Sequence, residues 1–226
     1  KKSKFKYDLG DDVYRIYALI LCLCLVGCTQ KKDIEVSTQK ENFSYEEVSE
    51  NFSKLQCGDI INIENSHYIS NIAIPGRWKH TLIYLGSLKQ VQELLDTSFP
   101  YYEKIVKMYK TQKEILVLDA NVGGVQIRTF DQMANLKNES YLKAMTCFRF
   151  LKENTFIKDF LKNALDYLNY PYDYQMDLSS DQELYCSELV VCSLKTQLFK
   201  YRIISPTDLI EELVEKKLVK NVLILE

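Results

Sequence analysis

At 226 residues and 46% apolar side chains, the chain has material for one domain with a full core plus a short leader. A formal net charge of -2, with Lys and Arg scattered along the chain, leaves no electrostatic footprint for nucleic acid. Seven cysteines and two histidines without a Cys-x-x-Cys pair argue against a structural zinc site, and a chain this long has no need of a disulfide framework, so no metal or cofactor is expected.

The first element in chain order is an apolar run over residues 16–27, too short to span a bilayer as a helix and of the length of a signal-peptide core. Lys1, Lys2, Lys4, Lys6 and Arg15 precede it, although Asp8, Asp11 and Asp12 are unusual there. It ends in Leu25-Val26-Gly27-Cys28, which resembles a bacterial lipobox. That resemblance implies a lipoprotein signal peptide over residues 1–28 and diacylation of Cys28. The protein would then sit in the bacterial cell envelope, anchored in a membrane through its acyl chains and facing outside the cytoplasm. Residues 29–53 read as a polar tether leading into a short helix, and residues 54–226 as the folded domain.

Within the domain, Gly58-Asp59 turns the chain into an aliphatic strand ending near Glu64. Pro75-Gly76 marks a turn, and residues 80–86, His-Thr-Leu-Ile-Tyr-Leu-Gly, form a β-branched and aromatic strand. An insertion over residues 88–113 carries Tyr102, Ile105, Val106 and Tyr109 at helical spacing, either a helix packed on the core or a lid. Strands follow over residues 114–120, 125–128 (after Gly123-Gly124) and 144–151. Helices are expected over 156–168, over 184–198 and from Ser205-Pro206, where serine caps and proline opens the helix; a strand closes over 219–225. Helices and strands mix without βαβ alternation, so the fold class is α+β.

Three residues carry chemistry. Cys186 follows a polar run and precedes Leu189-Val190-Val191, which puts it near a helix N-terminus where N–H groups and the dipole favour a thiolate. Its backbone N–H is also a candidate oxyanion donor. Alone, such a cysteine is more simply a packing residue, as Cys192 is expected to be. His80, at the start of a strand, can project toward a cleft and accept the thiol proton. His67, in a loop, ranks second as a base. Asp119 ends an aliphatic strand, where a carboxylate is costly unless partnered; it either orients His80 or forms a turn ahead of Gly123.

Gly58-Asp59-Ile60-Ile61, the residues 79–86, Asp119 ahead of Gly124-Val125, Tyr185-Cys186-Ser187-Glu188-Leu189, and Ser205-Pro206-Thr207-Asp208-Leu209 occur in that order. Together they resemble the YiiX/YebB-like permuted papain-like amidases of the NlpC superfamily. The likeness spans roughly residues 55–215 and leaves out the insertion. It implies a circularly permuted papain-like fold, an antiparallel sheet packed against the cysteine-bearing helix. It also implies Cys186 as nucleophile, His80 as base and Asp119 as the third polar residue, a position often held by glutamate in relatives. The expected activity is hydrolysis of an amide in a peptide or N-acyl-amine substrate through a thioester, such as a cell-wall peptide or a lysine-containing substrate. A lipid acyltransferase or esterase using the same pair, and a non-catalytic binding lipoprotein, are the alternatives.

Overall fold

Aliphatic runs pair into one antiparallel sheet. Its strands are β1 (Ile60–Asn65), β2 (His80–Ser87), β3 (Ile115–Asn121), β4 (Gly124–Thr129), β5 (Leu142–Phe150) and β6 (Val219–Leu225), in the spatial order β4-β3-β2-β1-β5-β6. The helices are α1 (Tyr45–Ser49), α2 (Leu88–Leu94), α3 (Tyr102–Val106), α4 (Asn154–Asp166), α5 (Cys186–Leu194) and α6 (Pro206–Glu215). The computed structural model describes residues 42–66, 74–176, 182–195 and 203–226. Residues 1–41, and with them the expected leader and Cys28, lie outside the described residues, as does His67. Antiparallel strands with unevenly interspersed helices make the fold α+β.

Both faces of the sheet are covered, which explains why its central strands are aliphatic runs without polar alternation. Ile60, Ile83, Leu118 and Phe148 face one core with Leu161, Leu165, Leu189 and Leu213 of α4, α5 and α6. Their chain neighbours Ile61, Leu82 and Val117 face a second core with Val48, Phe130 and Met145.

Residues 42–53, read from sequence as the end of a tether, belong to that second core. Val48 is fully buried, and the Phe43 N–H donates to the Leu142 carbonyl at 2.7 Å. Ser44 and Glu47 form a reciprocal capping box that starts α1 and turns its one apolar side chain inward. The insertion contains two short helices, and it is packed, with Val91 and Ile105 in the first core and the Tyr109 hydroxyl donating to the Gly86 carbonyl at 2.7 Å. The helix expected over 184–198 starts at Cys186, because Tyr185 is extended (φ −95°, ψ 174°).

β1 is entered through Gly58, whose φ of +86° suits glycine, and whose Cβ, if present, would press on Ile157 at 2.6 Å. Next to it, the buried Asp59 carboxylate receives Arg149 through Nε (2.9 Å) and Nη2 (2.7 Å) and the Gln56 N–H at 2.8 Å. Arg149→Leu would leave this carboxylate in the core without its cation. The expected loss is about 3 kcal/mol of folding stability, read from urea unfolding midpoints; an unchanged midpoint would show the pair to be dispensable.

Candidate active site

The order of the strands brings the expected residues together. β2 pairs antiparallel with β3, so the start of one strand lies beside the end of the other, with Ile83 opposite Leu118. His80 Nε2 is 2.6 Å from Asp119 Oδ1. Asp119 is wholly buried, whereas His80 keeps 20% of its side chain exposed, enough for a ring to exchange protons with a substrate.

The other carboxylate oxygen is also engaged. Asp119 Oδ2 accepts from Asn121 Nδ2 at 2.7 Å and from Arg128 Nη1 at 2.6 Å. Burial pushes the Asp119 carboxyl up, but the His80 charge, these hydrogen bonds and Arg128 outweigh it and hold the group below its ordinary range. The turn role that competed for Asp119 falls to Asn121, whose Oδ1 accepts the Gly123 N–H at 2.8 Å. Sequence reading missed both Asn121 and Arg128. A signal existed, since a two-residue turn at Val122-Gly123 sets Asp119 opposite Gln126. Period-2 alternation then puts Arg128 on the same face, one step along.

On the other side of the ring stands Cys186, the first residue of α5 and 3% exposed. Helix α5 lies against β2 and β3, which carries the thiol to the His80 ring. The ring and the thiol act on each other's acidity, and with Nε2 committed to Asp119 the ring nitrogen left for the thiol is Nδ1. The Thr81 backbone amide adds to the lowering of the thiol.

Acidity separates this cysteine from the packing cysteines. Burial pushes the Cys57 thiol up to about 12 and that of Cys147 well above its usual value. Burial acts on Cys186 in the same sense, yet the His80 charge, its hydrogen bond and the Thr81 N–H bring the thiol below 9.0. Desolvation likewise opposes a charge on His80, but Asp119 and Cys186 together raise it to about 10. The arrangement therefore favours a thiolate–imidazolium pair, and its titration belongs to the pair.

Tyr172 borders the same site. Burial raises its hydroxyl pKa, and the negative charges of Cys186 and Asp119 raise it further. Its ring packs edge-on against Tyr174, whose hydroxyl donates to the Val122 carbonyl at 3.3 Å. The segment is docked by backbone pairing of Tyr170 and Val125, where a Cβ on Gly124 (φ +87°) would collide with the Tyr170 carbonyl. Among the described residues, no group of three His, Cys, Asp or Glu side chains converges as metal ligands do.

An imidazole bonded to a buried carboxylate and coupled by charge to a thiol at a helix N-terminus, beside an antiparallel sheet, is the arrangement that papain-like cysteine chemistry requires. A family model described as permuted papain-like amidase enzyme, YaeF/YiiX, C92 family, matches residues 54–219. The chain belongs to that family and is a papain-like cysteine amidase or peptidase. Its histidine strand precedes its cysteine helix, in keeping with the permutation that the family description states. No curated protein matches the chain.

Proposed function

We propose that Cys186 is the nucleophile, His80 the general base and acid, and Asp119 the orienting carboxylate of an amidase acting on a peptide or N-acyl-amine substrate. The observation that carries this reading is the direct His80–Asp119 contact at 2.6 Å, with the charge of the same ring lowering the Cys186 thiol. The thiolate adds to the amide carbonyl carbon, and the oxyanion that forms takes hydrogen bonds from the first-turn N–H of Cys186. Collapse breaks the carbon–nitrogen bond as His80 Nδ1–H gives its proton to the leaving amine. A thioester remains. Neutral His80 then takes a proton from water, hydroxide oxygen adds to the thioester, and the carboxylate product leaves with the thiolate restored. Acylation of Cys28 would hold this domain at the outer side of a cell-envelope membrane, where cell-wall peptides are within reach.

A second reading has one observation in its favour. Val122 and Tyr174, 77% and 71% exposed, present apolar surface beside the site, as suits a substrate with an acyl chain, so the same thioester would serve a lipid esterase or acyltransferase. The test is a thiol-directed acyl probe, followed by incubation with muropeptides, N-acyl-lysines and phospholipids. Cys186→Ala is expected to abolish labelling and amide cleavage with the fold intact. Labelling that survives the substitution would sink the assignment; acyl transfer without amide cleavage would replace the first reading with the second.

A further inference from the structure

Several polar side chains with no evident role in chemistry are sealed in the core around the site. Asn62 interrupts the aliphatic strand β1 and is wholly buried; Thr81, one residue from His80, and Ser187, one residue from Cys186, are buried as well. Such groups cost stability unless hydrogen-bonded, and apolar side chains of similar shape would serve a core at least as well. Their partners converge on one short segment. Ser187 Oγ donates to the Ile204 carbonyl at 2.6 Å, and the Ile204 N–H donates to the Tyr185 hydroxyl at 3.0 Å. Asn62 Nδ2 donates to the Pro206 carbonyl at 2.8 Å while its Oδ1 accepts from Thr81 Oγ1 at 2.8 Å. The Trp78 N–H donates to Thr207 Oγ1 at 3.0 Å.

One side of the candidate site, Tyr185 and Ser187, and the other, Trp78 and Thr81, are therefore bolted to the same four residues. The segment itself is stiff. Ser205 caps α6 in a reciprocal box with Asp208, and Pro206 has its backbone torsion fixed at the first helical position. It sits between the nucleophile helix and the imidazole strand as a spacer.

We propose that residues 204–207 form a strap that sets the separation of the Cys186 thiol and the His80 ring, with Ser187, Asn62 and Thr207 as positioning residues. The strap acts through its neighbours: Ser187 fixes the first turn of α5 beside Cys186, and Asn62 fixes Thr81, the residue after His80. The proposal rests on the Cys186–His80 assignment above.

Ser187→Ala and Asn62→Leu test it in the full chain, with turnover of an amide substrate and the pH dependence of Cys186 alkylation by iodoacetamide read side by side. Each is expected to lower kcat by about 30-fold with KM within about twofold, since misplacement of reacting groups acts on the chemical step. Each should also move the alkylation midpoint to higher pH, which lost stability alone does not do, and Ser187→Thr should restore both. Where a buried substitution prevents folding, judged by circular dichroism, Thr207→Val replaces it as an isosteric change on a partly exposed side chain. Wild-type midpoints and kcat in the folded variants would overturn the strap. A wild-type thiol with ordinary acidity, indifferent to His80, would instead overturn the assignment beneath it.

Discussion

Replacement of His80 by alanine is expected to lower kcat/KM by about 10⁴-fold and to raise the Cys186 alkylation midpoint from below 9.0 to above it. Two opposed effects act on the thiol. Burial pushes it up, as it does at Cys57, where no cation intervenes and the thiol reaches about 12. At Cys186 the imidazolium reverses that push. With the ring gone the burial remains, so the sulfur is protonated at neutral pH and the leaving amine has no proton donor. The fold should survive, because Asp119 keeps Asn121 and Arg128 as partners. A midpoint left below 9.0 in a folded His80→Ala protein would remove His80 from the mechanism.

Asp119→Asn is expected to cost about 10³-fold in kcat at neutral pH, and the reason lies in the two donors behind the carboxylate. Asn121 and Arg128 both donate to Oδ2. The amide of an asparagine must therefore turn its oxygen toward them and its NH₂ toward His80 Nε2. That fixes the proton on Nδ1, leaving the neutral ring unable to accept the thiol proton. The pH profile changes as well. In the native pair, activity is expected to rise as the lowered thiol ionises and to fall as the imidazolium, raised to about 10, loses its proton. The Asp119 charge is a main contributor to that raised value, so its removal lowers the His80 pKa and moves the alkaline limb to lower pH. An alkaline limb that stays near 10 would show that the carboxylate does not act on the ring.

Much of the fold was legible because its strands are long aliphatic runs and α6 opens on Ser205-Pro206. His80 and Asp119 were readable as strand-end polar residues, and Cys186 as a cysteine before an apolar helix. What escaped notice depended on register. Arg128 is an ordinary exposed-strand residue until the hairpin sets it beside Asp119, and Asn62 is a lone polar residue in an aliphatic strand until the Pro206 carbonyl and Thr81 hydroxyl meet it. The short helix expected at the end of the tether is packed rather than free, because Val48 is buried and Phe43, Tyr45 and Phe52 pack on the second core, a weak apolar signal among polar neighbours. Within the helical insertion, the bounds of α2 were not legible because seven residues following a strand offer little periodicity; the Ser87–Gln90 capping box is its local mark.

The permuted order of the elements also bears on how the enzyme is made. A ribosome delivers the histidine strand and its carboxylate before the cysteine helix, and the strap and β6 after that helix. The pairings that close the site are long in sequence, and β6 must add to β5 at the sheet edge to finish it. Before the cysteine helix docks beside His80, the thiol lacks the neighbouring imidazole that lowers its pKa. On the proposed assignment, the reactivity of the sulfur is thus acquired with folding rather than carried by the residue itself.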